Sequence, residues 1–114
     1  MSTFETGRKA EAAAAAFLQR NDCTIIDQNW RTLRCEIDII AKRQNVIYFC
    51  EVKYRVSDRQ GSGLDYITPK KLNQMRFAAE TWVHSNKWKG DYQLCAIEVS
   101  GPHFRITRVV KDLF

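Results

Sequence analysis

No run in this sequence is long and apolar enough to span a bilayer, and a mean hydropathy of −0.41 agrees, so a transmembrane helix is not expected. Histidine is scarce: His84 and His103 stand alone. The four cysteines, Cys23, Cys35, Cys50 and Cys95, include no Cys-x-x-Cys pair. Tetrahedral zinc sites draw their ligands in close pairs, so a structural zinc is not expected either. Three of the cysteines sit beside strand-forming residues, where a thiol behaves as a small apolar group. Buried free thiols in a reducing cytoplasm are the reading that follows. Repeats and low-complexity tracts are absent, apart from an alanine run between Ala12 and Ala16. Arg8 and Lys9 ahead of that run imitate an export signal. However, Glu11 interrupts the approach, and Gln19-Arg20-Asn21-Asp22 offers no small-residue cleavage site. No basic stretch is interleaved with aromatics, so no platform for stacking single-stranded bases is expected.

What is present describes a globular chain. Its 114 residues suit a single domain spanning 1–114, and 45% hydrophobic residues are enough to bury a core. Aromatic residues at 11% and charged residues at 27% argue against disorder. Lysine and arginine number 18 against 13 acids, a net charge of +5, and the sequence pI is about 9.2. That excess favours a polyanionic partner, nucleic acid first among them.

From about Phe4 to Asn21, Gly7, Ala10, Ala14, Phe17 and Leu18 recur at helical spacing. Glu11 shares that stripe, either snorkelling to water at its edge or serving a site. Thr24 to Arg31 reads as a strand. Glu36 to Lys42 and Val46 to Arg55 read as a hairpin closed by Gln44-Asn45. Ser57 to Gly63 reads as a mobile loop. Thr68-Pro69 opens a second helix with an apolar stripe of Leu72, Met75, Ala79, Trp82 and Val83. Tyr92 to Ser100 and His103 to Val110 supply two more strands around a Gly101-Pro102 turn. The order α-β-β-β-α-β-β predicts an α/β domain with a mixed sheet.

A two-residue turn at Gln44-Asn45 sets Asp38 opposite Glu51 and Glu36 opposite Lys53, all on one face with Ile40 and Phe49. The other face then carries Ile37, Ile39, Ala41, Val46, Tyr48, Cys50 and Val52. Two carboxylates with β-carbons about 5 Å apart repel unless a cation lies between them. Oxygen ligands favour Mg²⁺ or Mn²⁺ over zinc. A cation there binds a phosphate oxygen and a water together, and Lys53 is placed to orient that water or to stabilise developing charge. Against this, Glu-x-Lys on a strand is commonly an exposed ion pair of little consequence.

These residues resemble a known pattern. Asp38, then Glu51-x-Lys53 after twelve residues, is similar to the Asp…Glu-x-Lys motif of the restriction-endonuclease-like nucleases. Gly7 and Glu11, Glu36-Ile37-Asp38-Ile39-Ile40, and Phe49-Cys50-Glu51-Val52-Lys53-Tyr54-Arg55 resemble, in order, the YraN-like family of small bacterial proteins. Asn29, Arg31 and Lys71 fit as well. Cys35, Tyr54 and Gln93 depart from it, standing where glycine, threonine and aspartate are usual.

The resemblance implies a restriction-endonuclease-like sheet with the hairpin at its centre and helices on its faces. It also implies a metal held by Asp38, Glu51 and the Val52 carbonyl. Glu11 would complete the site as in archaeal Holliday-junction resolvases, with Glu36 a weaker ligand. The expected activity is Mg²⁺- or Mn²⁺-dependent hydrolysis of DNA, structured or branched DNA included. Glu11, Asp38, Glu51 and Lys53 are then catalytic, and Arg8, Lys9, Arg55, Lys70 and Lys71 contact phosphates. A cytoplasmic location, a second copy of the chain as partner and no membrane complete the expectations. The alternative is a non-catalytic module that keeps the scaffold to grip DNA or protein.

Overall fold

The computed structural model describes residues 1–57 and 64–113; of the expected loop at 57–63, only Ser57 lies within them. Helix α1 spans Thr3–Arg20. Its start is a reciprocal cap: the Glu5 N–H donates to Ser2 Oγ (3.1 Å), and the Ser2 N–H donates to Glu5 Oε1 (3.4 Å). At its end, Asn21 Nδ2 donates to the Phe17 carbonyl (2.8 Å), satisfying one of the orphan carbonyls. Strands β1 (Thr24–Arg31), β2 (Glu36–Arg43) and β3 (Val46–Arg55) follow, then helix α2 (Pro69–Ser85), β4 (Asp91–Ser100) and β5 (Arg105–Lys111). Thr68 caps α2 by accepting the Lys71 N–H at 3.1 Å, with Pro69 at the first helical position.

The five strands form one sheet in the order β1-β2-β3-β4-β5. Every pair is antiparallel except β3–β4, which is parallel and therefore needs the crossover that α2 provides. This is the mixed sheet flanked by helices that the sequence predicts. The last strand starts at Arg105, not His103, because Gly101 (φ 80°) and Phe104 (φ 50°) both take left-handed conformations in the turn before it.

Each face of the sheet buries one helix. Ala10, Ala14, Ala15 and Leu18 of α1 pack on Ile39, Ala41, Cys50, Cys95, Ile97 and Val99. Met75, Ala78, Ala79 and Trp82 of α2 pack on Ile37, Ile40, Ile47, Phe49 and Leu94. Phe49 anchors the second cluster, with its ring edge-on to Trp82 (5.6 Å) and Tyr92 (5.7 Å). Burial of a side chain that size contributes about 2–3 kcal/mol. Leu72 and Val83 only border this cluster, and Ala78, outside the expected stripe, is fully buried. All four cysteines are free, with Cys50 and Cys95 buried side by side in the β3–β4 register and Cys23 and Cys35 half-buried. Among the described residues, no helix is long and apolar enough to cross a membrane.

Candidate metal and nucleic-acid site

Gln44 takes a left-handed φ of 55° and closes the β2–β3 turn in two residues. The expected register holds from Arg43↔Val46 to Ile39↔Cys50. There the β2–β3 ladder stops, although β2 remains paired with β1 as far as Glu36 and β3 with β4 as far as Arg55. The sheet parts between its second and third strands at Asp38 and Glu51. The Val52 N–H turns to the Asp38 side chain, donating to Oδ2 at 2.8 Å.

Two expectations are corrected by this split. Glu36 does not lie against Lys53; it pairs with Arg31 on β1, whose guanidinium it reaches at 3.5 Å. Ile37 does not share a face with Ile39; it packs under α2 while Ile39 packs under α1. Strict alternation therefore breaks across Asp38. The neighbouring strand breaks with it: Asn29, between Trp30↔Ile37 and Gln28↔Ile39, has φ 54°. Asn29 Nδ2 then donates to Glu11 Oε1 of α1 at 3.1 Å. Glu11 is thus half-buried and hydrogen-bonded toward the sheet, a more constrained placement than a snorkelling side chain.

Asp38 is half-buried. Loss of solvent and, next, the nearby Glu51 carboxylate push its pKa up to about 7. The Val52 N–H and Lys71 oppose the rise, and Glu11 adds to it. Glu51 is held by Lys71, whose Nζ lies 2.9 Å from Oε1. Lys71, expected to be a phosphate contact, is therefore turned inward onto the acid. Arg55 is turned inward too: its Nε lies 3.0 Å from Glu98 Oε2 and its Nη2 2.8 Å from Asp65 Oδ1. Lys53 is exposed, with its ammonium 5.8 Å from the centre of the Tyr66 ring. Lys70 is exposed beside the cleft, whereas Arg8 and Lys9 lie exposed on α1, with Arg8 over the Phe4 ring (5.7 Å).

An open cleft of about 890 Å³ adjoins this point, lined by Arg31, Arg34, Glu36, Glu51, Lys70 and Lys71 among others. Sequence reasoning missed Arg34, for which a turn arginine gives no signal. It also missed Glu98, only 4% exposed, which also accepts from Thr107 Oγ1 at 3.0 Å. An acid inside the apolar run Leu94 to Val99 was a readable sign of a buried partner. Tyr66 was missed too, and its buried hydroxyl has no hydrogen-bond partner among the described residues.

Among the described residues, no three Asp, Glu, His or Cys side chains converge tightly enough to form a complete metal cage. Mg²⁺ does not require one, since it is commonly held by one or two carboxylates with water and substrate phosphate filling the shell. Glu51 lines the cleft, and its charge acts on the neighbouring Asp38, so two carboxylates lie close together at its inner edge.

A model of the uncharacterised protein family UPF0102 matches residues 10–107. A UPF0102 protein from Cytophaga hutchinsonii is 34% identical over 101 residues, covering 89% of each chain. One from Neisseria gonorrhoeae is 40% identical over 81 residues, 71% of this chain and 70% of its own. A UPF0102 protein of Neisseria meningitidis serogroup C reaches 42% over 82 residues, with the same coverage.

Proposed function

We propose that this protein, which belongs to the UPF0102 family as its YraN-like motifs predict, is a Mg²⁺- or Mn²⁺-dependent nuclease acting on DNA, branched or otherwise structured DNA above all. The observation that carries the reading is the pair Asp38 and Glu51, brought together where the sheet parts beside a basic cleft. Asp38 and Glu51 would hold the cation with the Val52 carbonyl, and Glu11, fixed by Asn29, would support them. When bound, such an ion supplies positive charge to the scissile phosphate and a more acidic water. Lys53, one turn of the pleat beyond Glu51 and free of ion pairs among the described residues, would steady the negative charge that develops at phosphorus. Lys71 would exchange its carboxylate partner for phosphate as substrate enters.

The Lys71–Glu51 ion pair also favours a second reading, a binding module in which lysine permanently takes the place of a cation. Cleavage decides between them. Purified protein is expected to cut a flap or four-way-junction DNA in Mn²⁺ and not in EDTA. No cleavage of duplex, flap or junction in Mn²⁺ would leave the binding module standing.

Binding has its own signature. Arg34 and Lys70 have no ion-pair partner among the described residues, so their charge is available to phosphates. Replacing both by alanine is expected to flatten the slope of log affinity against log salt by about 2. Fluorescence anisotropy across a salt series measures this, and an unchanged slope would place the DNA elsewhere.

A further inference from the structure

The turn between β1 and β2 is built to hold an apolar side chain out in water. The Thr32 N–H donates to the Cys35 carbonyl at 2.8 Å. The Thr32 hydroxyl accepts from the Arg34 and Cys35 N–H groups at 3.1 and 3.2 Å. The backbone is thus fixed on both sides of Leu33, which is wholly exposed at its tip. Turn positions of this kind suit Asn, Asp, Gly or Ser, and a leucine there adds nothing to folding. Phe77 of α2 lines the same cleft and is 48% exposed, off the face that Met75, Ala78, Ala79 and Trp82 bury.

The charges around these two apolar groups select the partner. Both acids lining the cleft already have cations, Glu36 with Arg31 and Glu51 with Lys71. Among the described residues Arg34 and Lys70 remain as its net charge, next to Leu33 and Phe77. An apolar tip flanked by uncompensated cations is how proteins pry apart base steps, the cations gripping phosphate while the wedge replaces stacking. A protein partner would need acidic groups set around its own apolar patch; DNA brings phosphates and base faces at a fixed spacing.

We propose that Leu33 is a wedge that enters the base stack of DNA where stacking is already interrupted, with Phe77 receiving the displaced base. This rests on the nuclease reading for its DNA partner and goes beyond it by assigning the residues that recognise a break in the stack, at a junction, flap or mismatch. Unstacking an intact step costs a few kcal/mol, least where the stack is already broken, so the wedge discriminates against continuous duplex.

The test uses a four-way-junction DNA carrying 2-aminopurine beside the branch, in EDTA so that nothing is cut. Wild-type protein is expected to raise its fluorescence as the base unstacks. Leu33→Ser should abolish that rise and lower the preference for junction over continuous duplex about tenfold. Its melting temperature should match wild type, because the side chain touches no core. Binding without a fluorescence rise, or an equal rise with Leu33→Ser, overturns the wedge and leaves the nuclease reading intact. A Leu33-dependent rise in a protein that cuts nothing in Mn²⁺ upholds the wedge and overturns the nuclease. Failure to bind any DNA overturns both.

Discussion

Asp38→Asn and Glu51→Gln are each expected to reduce Mn²⁺-dependent cleavage by on the order of 10³-fold or more, because a cation's charge stabilisation is worth several kcal/mol in the transition state. Each variant keeps the shape of the side chain and removes a negative charge that a hard divalent ion requires. Junction binding in EDTA should persist or tighten, since a carboxylate facing phosphate has gone. Lys53→Ala should also stop cleavage, yet leave Mn²⁺ affinity unchanged, because an ammonium is no ligand. Single-turnover rates and Mn²⁺ titration on the same three proteins separate these outcomes. If the wild type is inert and the carboxylate variants melt well below it, the cluster is structural.

The second large effect is on stability. A half-buried Asp38 whose pKa is pushed up to about 7 in the folded protein, against an ordinary 3.8, binds its proton more tightly folded than unfolded. The metal-free protein is therefore expected to be least penalised below about pH 4, to lose stability as pH rises toward 7, and to carry the full penalty above it. The difference between 3.8 and about 7 corresponds to on the order of 4 kcal/mol. Asp38→Asn retains an oxygen to accept the Val52 N–H and removes the penalty. It should melt roughly 15 °C above wild type at pH 8, the difference fading toward pH 4. Added Mn²⁺ should raise the wild-type melting temperature more at pH 8 than at pH 5, because the ion competes with that proton. Thermal melts across pH, in EDTA and in Mn²⁺, measure both; parallel curves for wild type and variant would refute the half-buried acid.

Much of this site was legible because its signals are local. A two-residue turn between two β-rich runs defines the β2–β3 register, and that register brings Asp38 and Glu51 close. The cap of α2 was legible from Thr68-Pro69 for the same reason. Where the ladder ends was not legible. That depends on Asn29 in the neighbouring strand adopting a left-handed φ, and on Ile37 gaining burial under α2 once alternation breaks. Nor could the sequence say that Lys71 turns inward while Lys70 does not; adjacent residues on a helix point about 100° apart, and only the position of α2 over the sheet decides which one meets Glu51. Arg55 read as a surface cation because its partners, Glu98 and Asp65, are reached only through the crossover and the parallel strand it leads to.

The parting of β2 from β3 also provides a way to observe the protein at a single amide. The Val52 N–H is closed off by a titratable side chain rather than by a main-chain carbonyl. Its nuclear magnetic resonance shift should follow the Asp38 proton, while amides within the Ile39–Cys50 ladder stay still. Its hydrogen–deuterium exchange should accelerate in Asp38→Ala and remain slow in Asp38→Asn. That one signal reports the ionisation of Asp38 without any substrate, cleavage or assumption about what the protein cuts.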